Sequence, residues 1–274
     1  VPTPRDGGKS CRRTPPRRRL PPRTIPDRSV TAVLFVGMTV TVFLTSLLSG
    51  VFGMAGGMIL LWVLLFLVPV ATAIAIHGIV QMVSNGSRAW FSRDYLDLHI
   101  FAILSAGLFS AAMLLLIVDY RPSLVVVSIV VGLMPLLVWV PVKKLELDAS
   151  KPLHAYVCGL ISGGLAISVG VSGPSIDIFF IRTGMDRRMV IATKSAIQFL
   201  THATKVAFYW DAAITLSSEG WLAVAAAVPI AILGTRSGNI ILQRMTDANF
   251  RAWTRWIVTG IGAVYFVSGM MQLA

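Results

Sequence analysis

Ten apolar segments fill residues 30–274, at 30–52, 57–68, 71–91, 97–118, 122–141, 153–170, 174–183, 187–209, 219–237 and 252–273. A helix needs about 20 apolar residues to cross a hydrocarbon core of about 30 Å. Eight segments reach or approach that length; the second and seventh, at about 10–12 residues, are too short for a comfortable crossing. With 55% hydrophobic residues, 13% charged residues and a mean hydropathy of +0.77, a water-soluble fold would lack the polar surface to cover itself. No alternating pattern marks lipid-facing strands, so helices must satisfy the backbone in lipid. The expected fold is an all-α, multi-pass integral membrane protein. It has about eight full transmembrane helices and two short broken or re-entrant ones.

The net charge of +12 divides unevenly. Residues 1–29 carry nine Lys or Arg against two Asp, whereas residues 30–274 carry 15 basic against 10 acidic residues. The basic excess thus belongs to a tail, not to a nucleic-acid-binding face. Arg12, Arg13, Arg17, Arg18 and Arg19 stand among repeated prolines, so the tail cannot build a core and is expected to be disordered. Cys11 and Cys158 are too few for a disulfide framework or a metal cluster, and Cys158 reads as a small buried hydrophobe. The expected organisation is a tail (1–29), a first transmembrane repeat (30–141), a basic connecting loop (142–152) and a second repeat (153–274).

Each short segment follows a glycine-rich break: Gly50-Val51-Phe52-Gly53-Met54-Ala55-Gly56-Gly57, and Gly170-Val171-Ser172-Gly173-Pro174. Such breaks at membrane depth are tolerated where backbone faces a cavity rather than lipid. A shift of 117 residues lays 53–92 on 170–209 without a gap. Gly53 then meets Gly170, Gly56 meets Gly173, Gln81 meets Gln198 and Arg88 meets Lys205. The reading is a two-fold internal repeat. If both short segments cross, each half has an odd number of crossings and the halves are inverted. Placing Lys143, Lys144, Lys151, Arg187, Arg188, Arg236 and Arg244 in the cytoplasm leaves Asp211 and Glu219 outside. That choice also sends the basic tail outside, whereas re-entrant short segments would bring it inside and move Arg187 and Arg188 out. The inverted arrangement is preferred.

The third segment carries His77, Gln81, Ser84, Asn85 and Arg88 within a stripe of about 100°, since i, i+4, i+7 and i+11 share a helix face. The eighth repeats the design with Lys194, Gln198, Thr201, His202 and Lys205. A cation at the bilayer centre costs at least about 2.5–3.5 kcal/mol to insert, so it should face a polar interior. Acidic partners are scarce, and Asp177 is the obvious one. Cations in excess of carboxylates make a site that an anion completes, with Gln and Thr donors to orient it. Helices starting near Gly57 and Pro174 would add unpaired N–H groups and the positive dipole end.

The plainer readings are that Arg88, Lys194 and Lys205 snorkel to the interface, that Gln81 and Gln198 bond neighbouring helices, and that the glycines serve only packing. Duplication at matching positions weighs against all of these together. The residues expected to bind substrate are Gly53, Gly56, Gly57, Gln81, Asn85, Arg88, Gly170, Gly173, Pro174, Gln198, Thr201 and Lys205. His77, Asp177, Lys194 and His202 are the candidates for moving a proton.

The glycine-rich Gly50-to-Gly57 stretch with its apolar helix, Pro69, the Ala71-to-Arg88 helix and the degenerate second copy from Gly159 to Lys205 together resemble the sulfite exporter TauE/SafE family of permeases. The resemblance implies a secondary carrier, coupled to the proton gradient, that moves sulfite or organosulfur anions across a cell (inner or plasma) membrane. A passive anion channel fits the cationic stripes as well. An intramembrane serine protease is the enzymatic rival, because Gly170-Val171-Ser172-Gly173 matches a GxSG pattern with His202 as base. Yet the repeat sets Ala55 opposite Ser172, so the glycine frame exists without a nucleophile. No HExxH, phosphate loop or dinucleotide fingerprint is present. The expectation is a carrier, not an enzyme, with no cofactor and no metal. Its partners would be a small anion, protons and the bilayer, with a homo-oligomer admitted and no nucleic acid.

Overall fold

The computed structural model describes residues 28–52, 55–139, 146–181 and 183–273, with side-chain surroundings outside 28–35 and 247–252. Gly53, Lys143, Lys144 and nearly all of the expected tail lie outside the described residues. Among those described, every regular element is a helix. In chain order these are α1 (Arg28–Phe52), α2 (Ala55–Leu67), α3 (Val70–Phe91), α4 (Leu98–Ile117), α5 (Leu124–Leu133), α6 (Pro135–Trp139), α7 (Pro152–Val169), α8 (Gly173–Phe180), α9 (Arg187–Phe208), α10 (Trp210–Ile214), α11 (Ser218–Gln243) and α12 (Asp247–Met271). A three-residue 3-10 turn, Arg93–Tyr95, joins α3 to α4.

Local chemistry explains many of the boundaries. Asp97, Ser123, Asp186 and Ser217 precede α4, α5, α9 and α11, and each side chain accepts from a backbone N–H of the first turn. These caps satisfy donors that the helix itself cannot. Pro135, which has no N–H to donate, splits the expected segment 122–141 into α5 and α6. The helices α4, α7 and α11 are long and apolar enough to cross a membrane, while Val36–Phe52, α2 and the α5–α6 stretch are shorter apolar helices. Phe109, Met113, Leu114, Ile117, Leu233, Trp256 and Val264 stand exposed on the outer faces. A surface that apolar suits lipid rather than water.

Glycine contacts fix the helix directions. Gly234 lies against Phe43 and Ser46, and Gly238 against Leu47 and Gly50, so α1 and α11 run parallel. Gly159 lies against Leu104 and Gly163 against Leu108, so α4 and α7 also run parallel. The other two main pairs are antiparallel. Gly78 meets Lys205 and Val206 while Gly86 meets Phe199, which pairs α3 with α9; Gly132 meets Phe266 while Gly269 meets Ile129, which pairs α5 with α12. Lipid tails are as apolar as leucine, so helices in a bilayer gain little by burying apolar surface and rely on close backbone approach. At Gly107 and Gly159 an added Cβ would strike the carbonyl oxygens of Tyr156 and Leu104.

These directions sort the helix ends. One end of the bundle, here end A, gathers the C-termini of α3 and α11 with the N-termini of α4, α7, α9 and α12. The opposite end B gathers the N-termini of α3, α5 and α11 with the C-termini of α4, α9 and α12. The short helices double back. Gly56 sits against Thr45 and Ser49 of α1, and Gly57 against His77 and Gln81 of α3. From Gly57 to Leu67, α2 descends about 15 Å toward end B at 1.5 Å per residue, so it begins near mid-depth. The eight-residue α8 returns toward end A, where Phe179 O accepts from Ala149 N at 2.9 Å.

Backbone contact at Gly107 and Gly159 yields a direct test. Gly107→Ala or Gly159→Ala should cost about 1–3 kcal/mol by overpacking and lower the melting temperature of the detergent-solubilised protein. Gly164→Ala, whose Cβ would stand 3.7 Å from Ala111, should leave it unchanged.

Candidate functional site

The antiparallel crossing of α3 and α9 brings part of the two polar stripes together. Lys205 is wholly buried. Its Nζ donates to Gly170 O at 2.9 Å and lies 2.8 Å from His77 Nδ1. Gly170 ends α7 with a φ of 88°, in the left-handed region that favours glycine. That turn leaves carbonyls at the negative end of the helix, and the lysine takes one of them. With the ammonium as donor, His77 Nδ1 accepts and the ring proton sits on Nε2. Buried His77 Nε2 has no partner among the described residues, and neither has His202 Nδ1. The two imidazoles meet edge to face with centroids 5.7 Å apart.

On the far side of His77 lies the first turn of α2. A Cβ on Gly57 would stand 3.0 Å from Gln81 Nε2 and 3.3 Å from His77 Nε2. The first N–H groups of α2 have no intrahelical acceptor. Gly57, His77, Gln81, Gly170, His202 and Lys205 thus form one buried cluster, rich in donors and holding no carboxylate.

The structure does not bring Arg88 to this cluster. Its Nη2 donates to Ser49 O at 3.1 Å, in the last turn of α1. Along α3, His77 and Arg88 are about 16 Å apart, too far for one small anion to touch Lys205 and Arg88 together. The cations nevertheless play matching parts, each reaching the C-terminal carbonyls of the long helix that precedes a break.

The remaining expected residues occupy varied settings. Lys194 and Asp177 form an ion pair, with side chains 25% and 27% exposed. Asn85 Nδ2 donates to Gln81 O at 2.9 Å, and Thr201 Oγ1 donates to Ile197 O at 2.8 Å. Such local bonds commit a hydroxyl or amide proton to the helix backbone. Gln198 and Gly173 are half-buried and Pro174 is buried in the first turn of α8. Gly56 lets α2 touch α1. Among the described residues no hydrogen bond joins Ser172 to His202, and no group of three His, Cys, Asp or Glu could hold a metal ion.

A cavity of about 490 Å³ lies between α3, α9 and α11, lined by Arg88, Thr235, Arg236, Asn239 and Gln243 among others. Thr235 Oγ1 also shares a 2.6 Å hydrogen bond with Ser84 Oγ. Reading the sequence placed Arg236, at the edge of segment 219–237, among the cytoplasmic charges and passed over Asn239 and Gln243, because hydropathy falls at 237. The helix runs on to Gln243 and carries Arg236 about two turns inside it. Its signal was the recurrence of Arg236, Asn239 and Gln243 at i, i+3 and i+7.

Comparison with known proteins supplies a family. A sequence model described as "Sulfite exporter TauE/SafE" matches residues 38–265. No curated protein and no solved structure matches the chain. The match opens within α1 and closes within α12, so it takes in both breaks and both polar stripes. Transporters, not enzymes, make up that family. The chain therefore belongs to the sulfite exporter TauE/SafE family of membrane transporters.

Proposed function

We propose that the chain is a proton-coupled secondary carrier that exports a small anion, sulfite or an organosulfur anion, across a cell (inner or plasma) membrane. The observation that carries this reading is the buried donor cluster around Lys205. The Lys205 amine, an unpartnered His77 Nε2, the Gln81 amide and the first turn of α2 converge with no carboxylate among them. An oxyanion meets that need, since charge-assisted hydrogen bonds to it are about twice as strong as neutral ones. His77 and His202 stand where a proton could pass to or from Lys205 as the anion arrives or leaves. Asp177 and Lys194 form a half-exposed pair toward end A that can open and close. A passive channel would need a continuous path, and full burial of Lys205 favours a carrier that exposes its site to one side at a time.

The repeat itself is read as inverted, with 30–141 and 153–274 as its halves and 142–152 as the connection. Helices that would be equivalent, α3 with α9 and α5 with α12, pack antiparallel, as a two-fold axis lying in the membrane plane requires. The parallel pairs α1–α11 and α7–α4 exchange partners under the same axis. In this scheme α1 and α2 enter and return together, α7 and α8 do the same from the other side, and the other long helices cross. End A, with Arg93, Lys151, Arg187, Arg188 and Arg244, is assigned to the cytoplasm by the positive-inside rule, and Asp211 and Glu219 to the opposite side.

Two experiments test these points. Ser150→Cys and Ser218→Cys, each in a Cys11→Ser chain, should label with an impermeant thiol reagent from opposite sides of the membrane, Ser150→Cys from the cytoplasm. Labelling of both from one side would refute the inverted topology. In proteoliposomes, an imposed pH gradient should drive sulfite against its concentration gradient, and His77→Gln should leave only downhill flux. Identical flux with and without the pH gradient would rule out proton coupling.

A further inference from the structure

The groove between α3, α9 and α11 differs in chemistry and exposure from the buried cluster. Arg236 and Asn239 are exposed and Arg88 is half-buried, whereas Lys205 has no exposed surface. On α11, Arg236, Asn239 and Gln243 share one face. No carboxylate among the described residues pairs with Arg88 or Arg236. Arg88 gives Nη2 to Ser49 O, and a guanidinium has five N–H donors in all. Two guanidinium groups on one cavity repel each other unless an anion lies between them. The volume of about 490 Å³ falls within the range of small-ligand sites, about 300–1,000 Å³. Phe91 and Ile232 add apolar wall beside these cations.

We propose that this groove is a second oxyanion site, separate from the Lys205 cluster, in which Arg236 and Arg88 clamp the head of an anion carrying a short apolar tail. Thr235, Asn239 and Gln243 supply the neutral hydrogen bonds. Arginine suits the task because its planar fork pairs two oxygens of one head group at once. An organosulfonate has this chemistry, with the head between the arginines and the alkyl part on Phe91 and Ile232. The phosphate head of an anionic lipid shares it. On the carrier reading, which this inference extends, the groove opens at the cytoplasmic end and is where an exported anion loads before it reaches the sealed cluster. The 117-residue shift lays Arg236 on Asp119, an opposite charge, so the loading site is one-sided, as an exporter's can be.

The test reads the groove directly and does not depend on transport. Asn239→Cys is introduced into the Cys11→Ser chain, leaving buried Cys158 in place, and the protein is reconstituted in phosphatidylcholine vesicles. It is then modified with sulfonatoethyl or trimethylammonioethyl methanethiosulfonate. Relative to their rates with free cysteine, the anionic reagent should gain about tenfold over the cationic one through electrostatic focusing. Arg236→Gln should abolish the gain, and Lys205→Met should keep it even if that variant transports nothing. Protection by millimolar ethanesulfonate, with no effect of added phosphatidylglycerol, assigns the site to a free anion. Protection by phosphatidylglycerol alone assigns it to lipid, which keeps the oxyanion site but overturns its role in loading. A reagent ratio equal to that of free cysteine, or one untouched by Arg236→Gln, overturns the proposal altogether.

Discussion

A lysine side chain wholly buried in a lipid-embedded bundle with no carboxylate beside it is the constraint around which the rest is arranged. Lys205 stays in place because α7 ends at Gly170 in a left-handed turn that offers a carbonyl, and because His77 presents a ring nitrogen from α3. Neither partner is a carboxylate. The other groups converging on the cluster, the Gln81 amide and the unpartnered nitrogens of His77 and His202, bring no carboxylate, so the cluster lacks an anion. On the proposed reading the substrate supplies it, and recognition of an anion follows from what the protein leaves out as much as from what it places there.

Helix packing is what makes such a cluster affordable. Glycine at the contact points of α1 with α11, α4 with α7, and α5 with α12 brings backbones close enough for dispersion to hold the bundle in lipid. Gly56 and Gly57 let α2 fold back between α1 and α3, which sets an open helix N-terminus near mid-depth. A bulkier residue at Gly57 would push that turn away from His77 and Gln81, and one at Gly56 would strike the Thr45 carbonyl of α1. The same glycines therefore serve both stability and the site.

Much of this was legible in the sequence. The apolar segments, both breaks and the two polar stripes follow from hydropathy, glycine spacing and helical periodicity, and α2, α3, α8 and α9 fall close to the expected bounds. Asp177 could be singled out as an acid at depth, but not its pairing with Lys194, which depends on how α8 folds against α9. Nor does periodicity within one helix reveal how two helices cross. Each stripe was legible alone, yet the antiparallel crossing of α3 and α9 sets Lys205 beside His77 and leaves Arg88 about 16 Å away along the axis. Arg236 was placed among the cytoplasmic charges rather than on a cavity because hydropathy marks where a segment stops being apolar, not where its helix ends.

Replacing Lys205 by methionine tests the central claim most directly, because it separates stability from transport. Exchanging a buried amine that has no carboxylate partner for an apolar side chain of similar length removes its desolvation cost, which offsets the two hydrogen bonds lost at Gly170 O and His77 Nδ1. The purified Lys205→Met protein should therefore melt at the wild-type temperature or above it, while sulfite flux in proteoliposomes falls to the level of empty vesicles. A folded Lys205→Met protein that moves sulfite at the wild-type rate would contradict the account.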